Sequence, residues 1–185
     1  MTQFAEHYLI ESPRLKNWDY STPGIYFITI CTVHHNNFFG KVIDNKMELS
    51  KMGIIAKTEL VKTFEIRKSV KLHEYVIMPN HVHILMEIIN NNYDYKCRDV
   101  LQNVSTEDKV KEYFSNISPK GNSISNIIKQ FKSSVTRLIN PKTVFFGWQP
   151  RFYDQIIKTK EEYFVIKKYI QNNIFNWQKD KFYKN

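Results

Sequence analysis

Runs of apolar residues divide the first half of the chain into strand-like and helix-like segments. GIYFITICTVHH, which follows the turn residues STPG, is rich in β-branched and aromatic residues and predicts a buried strand over 25–33. KVIDNKMELS alternates weakly between apolar and polar positions and predicts a short hairpin. A helical pattern then begins at Ser50 and ends near Ile66.

Two further strand-like runs, SVKLHEYVIM and HVHILMEII, are separated by the pair Pro79-Asn80. Proline fixes φ and favours a tight turn, so these runs predict an antiparallel hairpin. From about residue 90 to 122 the chain becomes polar. This stretch predicts a surface insertion within one domain that spans residues 1–185.

The second half of the chain contains two helical patterns. NIIKQFKSSVTRLIN carries an apolar stripe at helical spacing, and its opposite side is cationic and hydroxylic. The predicted core-facing residues are Ile127, Ile128, Phe131, Val135 and Leu138. The segment PKTVFFGWQPRFYDQII looks irregular, and Thr159-Lys160-Glu161-Glu162 then has the form of a capping box that begins the last helix. Because strands and helices do not alternate strictly, this order predicts an α+β sandwich with helices on an antiparallel sheet.

The charge of the chain favours a polyanionic partner. With 27 Lys+Arg against 18 Asp+Glu, the formal net charge is +9, although a basic protein without such a partner is the alternative. Cys31 and Cys97 lack CxxC spacing, which fits a reducing cytoplasm. No apolar run approaches the ~18 residues that cross a membrane, so we expect a cytoplasmic protein without a membrane span.

Two histidines in the second strand of the predicted hairpin could carry chemistry. Side chains two apart on a strand share a face, so His81 and His83 could hold one divalent metal ion. Two imidazoles alone leave such a site at least one ligand short, and ordinary hydrogen-bonded histidines are the alternative. His34 and His35 are adjacent in sequence and are predicted to be loop or surface residues.

Four short segments, taken together, carry a resemblance to a known family. They are PRLKNWDYSTPGIYFITICT, YVIMPNHVHIL, IIKQFKSSVTRLI, and WQPRFYDQII followed by YIQNN. In order and spacing they resemble the REP-associated tyrosine transposases, and MPNHVH looks like the HUH motif of single-strand-specific nucleases. The resemblance covers nearly the whole chain and implies a ferredoxin-like α+β fold with the motif on a strand.

The resemblance also implies an activity and its residues. It implies a metal-dependent single-strand DNA endonuclease and strand transferase, which nicks and rejoins hairpin DNA of the repetitive extragenic palindrome type through a 5′-phosphotyrosine. His81 and His83 would bind Mg or Mn, Tyr169 in YIQNN would be the nucleophile, and Asn173 would be the third ligand. Residues i and i+4 of a helix can reach one point, and a phenol with pKa near ~10 needs a nearby cation to attack.

One departure and one rival residue leave alternatives open. The family usually has proline where this chain has Ile174, and without proline the last helix is predicted to continue through FNWQKD. The end of that helix and the ligand role of Asn173 therefore stay open, and Asn172 is the alternative third ligand. Tyr153, in RFYD, is the rival tyrosine.

The predicted DNA contacts are basic residues and one tyrosine. Lys129, Lys132, Arg137 and Arg151 would contact the DNA backbone, with Tyr153 beside the substrate; a solvated helix face is the alternative. The partner would be single-stranded or hairpin DNA, and the protein could act as a homodimer. The alternative functions are a non-catalytic DNA-binding module with the transposase fold and a metal-dependent hydrolase of small phosphoesters.

Overall fold

The computed structural model describes residues 21–89, 123–140 and 145–183, and these residues form an α+β fold. The predicted surface insertion at about 90–122 lies outside the described residues. The strands are β1 (Gly24–Cys31), β2 (Gly40–Ile43), β3 (Lys46–Leu49), β4 (Val70–Ile77), β5 (His81–Ile88) and β6 (Tyr153–Ile157). The helices are α1 (Lys51–Glu65), α2 (Ile124–Ile139) and α3 (Lys160–Asn172), with short 3-10 turns at Val33–His35 and Trp177–Lys179.

Four strands form the central sheet in the order β4-β5-β1-β6, and every neighbouring pair is antiparallel. β2 and β3 form a separate hairpin. β4 and β5 are joined through Pro79 and Asn80, which confirms the predicted hairpin. The predicted α+β, ferredoxin-like sandwich with the two histidines on a sheet strand is therefore confirmed.

Alternation along β5 sorts its side chains into two layers. Val82, Ile84 and Met86 are fully buried in the larger apolar cluster, beneath α1 and α2. His81 and His83 point to the other side of the sheet, where α3 packs. The predicted separation of the histidines from Val82, Ile84 and Met86 is confirmed, and the buried Leu85 shares the side of the histidines.

Side-chain caps begin α1 and α3 where the sequence predicted them. The Ser50 hydroxyl accepts from the Gly53 backbone N–H at 3.1 Å, and the Thr159 hydroxyl accepts from the Glu162 N–H at 3.2 Å. Each cap satisfies one of the donors that a helix start leaves free and contributes about 1 kcal/mol. The cap at Thr159 therefore fixes where the helix that carries Tyr169 begins.

The buried stripe of α2 differs from the prediction by one position. Ile127, Ile128, Phe131 and Val135 are buried as predicted, but Leu138 is 47% exposed. Ile139 is buried in its place because it lies four residues after Val135, on the same side of the helix. The cationic face of α2 consequently includes an exposed leucine at its end.

The segment before the last helix, predicted to be irregular, contains strand β6. Tyr153–Ile157 pairs with β1 from Thr29 to Ile25 and forms an edge of the sheet. The strand has five residues, and its Asp154 and Gln155 obscure the apolar pattern that would reveal it. Its backbone hydrogen-bond partners lie on the edge of β1 that β5 leaves open. β1 itself ends at Cys31, two residues earlier than predicted, because the chain enters the 3-10 turn at Val33.

The predicted continuation of the last helix through FNWQKD is wrong. α3 ends at Asn172, and the Asn176 backbone N–H then bonds to the carbonyls of Asn172 and Asn173 in successive turns. Trp177, only 6% exposed, packs in the smaller apolar cluster beside α3. Burying a large aromatic side chain is worth about 1.5–3 kcal/mol, which stabilises the 3-10 turn that follows the helix. Nowhere in the described ranges is a helix long and apolar enough to cross a membrane.

Candidate active site

His81 and His83 form the centre of the candidate site on the α3 side of the sheet. Both side chains are buried, with 0% and 1% of their surfaces exposed. Their Nε2 atoms face each other at 3.1 Å, and the ring centroids are 4.5 Å apart. Strand geometry therefore brings the same nitrogen of each imidazole to one point.

Outer contacts hold both rings in place. The Asn80 amide group donates to the carbonyls of His35 and Phe182, at 3.1 and 2.7 Å, so its oxygen faces His81 Nδ1 at 2.9 Å. His81 Nδ1 must then donate, which leaves Nε2 with a lone pair. His83 Nδ1 lies 2.8 Å from the Thr29 hydroxyl. Such contacts orient metal-binding imidazoles and select their tautomer.

The surroundings keep both imidazoles neutral. Burial, followed by the nearby charges of His35 and Lys181, lowers the pKa of His81 to about 3. Burial, followed by the charge of His81, lowers the pKa of His83 well below its ordinary value. Neutral imidazole is the form that binds metal ions, so these residues are ready to act as ligands at neutral pH.

Tyr169 brings its hydroxyl to the histidine pair from α3. Its oxygen lies 3.2 Å from His83 Nε2, and the ring centroids are 5.2 Å apart. The side chain is 40% exposed, so a substrate can approach it from solvent. Burial, and then the negative charge of Asp180, raises the pKa of the phenol above its ordinary value of 10.0. A cation beside the hydroxyl would favour the phenolate instead.

Asp180 joins the histidines, and sequence reasoning missed it. Its carboxylate and the imidazole nitrogens of His81 and His83 supply ligand atoms that lie within 4.8 Å of one another. Asp180 follows the last helix in a polar stretch without a motif, directly after the 3-10 turn at Trp177–Lys179 whose Trp177 is buried. No sequence signal in the helix or the HUH-like segment points to this residue.

Asn173, the predicted third ligand, lies beside Asp180 at the end of α3. It is 2% exposed, and its amide group donates to an Asp180 carboxylate oxygen at 3.2 Å. Its own Oδ1 is buried and has no hydrogen-bond partner among the described residues. A buried oxygen without a partner is costly unless a ligand satisfies it. Asn172, the alternative, lies one position further around the helix and uses its backbone carbonyl to accept from Asn176.

These residues fit a divalent metal ion. Two ligands at right angles, each ~2.1 Å from an octahedral ion, stand about 3 Å apart, which matches the separation of the two imidazole nitrogens. Two neutral nitrogens with carboxylate or amide oxygens form a mixed donor set that Mn²⁺ and related ions accept. The buried Oδ1 of Asn173 is a further oxygen donor without a competing partner in the described part of the chain.

Comparison with known proteins identifies a relative of this chain. Over 175 residues it is 35% identical to an uncharacterized protein of Haemophilus influenzae, and the match covers 93% of this chain and 92% of that protein. The chain belongs to the same family as that protein. No protein-family model matches the chain.

Among solved structures, the chain is similar to a REP-associated tyrosine transposase bound to a REP hairpin. The TM-score is 0.56 at 14% sequence identity, and the match covers 88% of this chain and 73% of that chain. At this identity the likeness concerns the fold. The predicted resemblance to the REP-associated tyrosine transposases is thus confirmed in the three-dimensional structure, and the site lies within a transposase-like fold.

The C-terminal segment after α3 covers one side of the histidines. The ring of Phe182 lies 4.7 Å from that of His81 and 5.2 Å from that of His35, which it stacks upon. The Lys181 ammonium lies 4.7 Å from the Phe182 ring. His35, predicted to be a loop or surface residue, is therefore part of the surroundings of the site. Its position depends on the 3-10 turn after β1, which the sequence pattern did not reveal.

Tyr153 borders the site from the edge of the sheet. It pairs with Thr29, which pairs with His83, so the three side chains lie in one row on one face. Its hydroxyl lies 3.4 Å from the Gln155 side chain, and the Lys181 ammonium lies 5.6 Å from its ring. Of the two candidate tyrosines, Tyr169 is therefore the one with its hydroxyl on a histidine.

The predicted basic residues lie in different surroundings. Lys129 and Arg137 line a polar cleft of about 370 Å³ on α2, on the opposite side of the sheet from the histidines. Lys132 instead donates to the backbone carbonyls of Gln149 and Arg151, at 2.7 and 3.2 Å, and holds the segment that leads into β6. The exposed Arg151 lies two residues before Tyr153, near the sheet edge that borders the site.

Proposed function

We propose that this protein is a metal-dependent single-strand DNA endonuclease and strand transferase that nicks and rejoins hairpin-containing DNA. The observation that carries the proposal is the Tyr169 hydroxyl 3.2 Å from Nε2 of His83, which faces Nε2 of His81. A nucleophile next to a pair of metal-ligand candidates is the arrangement that covalent phosphoryl transfer requires. The transposase-like fold and the net charge of +9 support DNA as the substrate.

His81 and His83 would hold the metal ion, and Asp180 and Asn173 would complete its ligands. A divalent ion bound there would act as a Lewis acid on the non-bridging oxygens of the scissile phosphate. The Tyr169 oxygen would attack phosphorus and lose its proton, while the bond from phosphorus to the 3′ oxygen breaks. The 3′ oxygen takes up a proton and leaves as a hydroxyl, and the 5′ phosphate stays on the tyrosine. Attack by a 3′-hydroxyl on this phosphotyrosine reverses the step and joins strands.

The surrounding residues have supporting roles in this proposal. Asn80 holds His81 in the tautomer whose Nε2 can bind metal, and Thr29 orients the ring of His83. Arg151 and Tyr153 lie along the edge where the strand would approach the site, and Lys129 and Arg137 would contact phosphates on the far side. Contacts on both sides suit a folded hairpin more than one short linear strand.

A covalent-adduct assay tests the proposal. The protein is incubated with single-stranded hairpin oligonucleotides and Mn²⁺ or Mg²⁺, denatured, and analysed for a protein–DNA band. We expect an adduct that disappears in Tyr169→Phe and His81→Ala and persists in Tyr153→Phe, the matched control. An adduct that survives in Tyr169→Phe but is lost in Tyr153→Phe would assign the nucleophile to Tyr153 instead.

A non-catalytic DNA-binding module is the second candidate, and the Phe182 ring over His81 favours it because this ring occupies space beside the histidines. The same assay separates the two candidates. Hairpin binding without any adduct, in oligonucleotides drawn from the repeats beside its own gene, would support the binding module. Turnover of a small phosphoester without an adduct would indicate a hydrolase.

A further inference from the structure

A second concave surface lies next to the candidate site, on the other side of Trp177. The cleft measures about 380 Å³ and is formed by the β2–β3 hairpin, Pro79 and the segment after α3. Trp177 separates the two places, because it lines this cleft while its ring lies 6.0 Å from that of His81. The cleft and the proposed metal ligand His81 are therefore separated by one side chain, that of Trp177.

The lining of this cleft combines aromatic faces, amides, a cation and the carboxylate of Asp44. Phe175 is 66% exposed at its rim, and Tyr183 packs against Trp177 with ring centroids 5.3 Å apart. The Asn45 and Gln178 side chains make no hydrogen bonds within the described part of the chain. The Lys41 ammonium, 3.8 Å from Glu48, is exposed at the same rim.

This combination fits a nucleotide better than an apolar ligand. An exposed aromatic ring offers a stacking face for any base, and amides can donate to and accept from the edge of a base. A lysine at the rim can contact the phosphate of the same nucleotide. Unpaired bases are required, because only a base outside a duplex presents both its face and its edge.

We infer that this cleft binds one unpaired nucleotide of the single-stranded flank next to the scissile phosphate, an inference that rests on the proposed function. Its position follows from the shared wall: a strand whose phosphate lies at His81 can place a neighbouring base beyond Trp177. Phe175 stacks on that base, and Gln178 and Asn45 contact its edge. The cleft thereby helps to set which phosphate is presented to Tyr169.

Equilibrium binding to the full-length Tyr169→Phe protein, without metal, tests this inference independently of cleavage. The probes are a DNA hairpin with an unpaired flank and the same hairpin without it, with 2-aminopurine placed in turn at each flank position. We expect quenching at one position beside the cleavage site. Phe175→Leu should abolish that quenching and weaken binding of the flanked hairpin about tenfold, the effect of losing one base–aromatic stack.

Phe164→Leu is the matched control, because Phe164 is 64% exposed on α3 and does not line the cleft. It should bind both probes as the parent does, and Phe175→Leu should bind the blunt hairpin unchanged. Equal affinities of the two leucine variants for the flanked hairpin would overturn the inference. So would a loss in Phe175→Leu that is as large for the blunt hairpin.

The failure of this inference differs from failure of the proposed function. If flank binding depends on Phe175 but the protein with wild-type Tyr169 forms no adduct, the proposed nuclease function is refuted. The assignment of the cleft as a nucleotide-binding site then still holds. If the protein forms the adduct but Phe175→Leu does not change its affinity for the flanked hairpin, only the assignment of the cleft is refuted.

Discussion

The two sides of the central sheet are built for different purposes. On the α1 and α2 side, β5 contributes Val82, Ile84 and Met86 to a continuous apolar cluster. On the α3 side, the same strand contributes His81 and His83, which lie with the buried polar residues Thr29 and Asn173. Burial of apolar groups stabilises the fold, whereas burial of polar groups costs free energy unless each finds a partner. The strand therefore contributes apolar side chains to the α1 and α2 side, whereas on the α3 side it contributes the two candidate metal ligands together with the buried Leu85.

The helices differ in the same way. α2 buries six of its residues, whereas in the fully described α3 only Ile170 is buried. Polar contacts contribute to holding α3 on the sheet: the Tyr163 hydroxyl lies 3.3 Å from His73 Nδ1, and the Gln171 amide donates to Glu74 at 2.7 Å. The helix that carries the proposed nucleophile thus depends less on apolar packing than the helix opposite.

The largest loss of stability is expected on the apolar side. Phe131→Ala removes a fully buried ring of α2 and should lower the free energy of unfolding by about 3–5 kcal/mol, the cost of the lost burial and of the cavity. Tyr169→Phe, on the other side, should change the free energy of unfolding by less than about 1 kcal/mol, because Tyr169 is 40% exposed. Urea denaturation measures both. A Tyr169→Phe protein as unstable as Phe131→Ala would contradict the division of roles.

Acid should destabilise the protein through the histidine side. An unfolded histidine titrates near 6.5, but His81 in the fold has a pKa lowered to about 3. Between these values the unfolded state binds a proton that the folded state does not, so the free energy of unfolding falls as the pH falls through this window. The slope is about 1.4 kcal/mol per pH unit for one histidine.

Denaturation at pH 7 and pH 5, with a chelator present, measures this slope. His83 has the same sign of shift and should add to the effect. His81→Gln keeps a polar side chain that does not titrate there, and should reduce the acid sensitivity. Equal sensitivity in His81→Gln and the parent would place the titrating group elsewhere.

Asp180 and Asn173 can be compared directly as candidate metal ligands. Asp180→Asn keeps the size of the side chain and removes its charge, so Mn²⁺ affinity should fall about tenfold or more. The phenol pKa of Tyr169 should also move down toward its ordinary value in the metal-free protein, because the Asp180 charge helps to raise it. Calorimetry with Mn²⁺ and an ultraviolet titration measure the two effects. If Asn173→Ala alone weakens Mn²⁺ binding, the third ligand is the asparagine.

Features that depend on residues close together in the sequence could be predicted, whereas features that depend on distant residues could not. The turn at Pro79, the caps at Ser50 and Thr159 and the shared face of His81 and His83 depend on neighbours in the chain, and all were predicted. β6 and Asp180 were missed because each depends on a distant partner: β6 on the edge of β1, and Asp180 on the histidines of β5. The role of Lys132 was assigned from helix periodicity, which cannot reveal that its ammonium bonds to Gln149 and Arg151.

The smallest predicted effect separates the two kinds of lysine on α2. Lys129 is exposed in a polar cleft, so Lys129→Ala should weaken hairpin binding modestly and reduce the slope of log affinity against log salt by about 1. Lys132→Ala should instead lower the melting temperature, because two backbone carbonyls before β6 lose their donor. Fluorescence anisotropy at several salt concentrations and thermal denaturation distinguish these outcomes. If the salt slope of Lys129→Ala equals that of the parent, Lys129 does not contact a phosphate of the hairpin, and the predicted contact on α2 would rest on Arg137 alone.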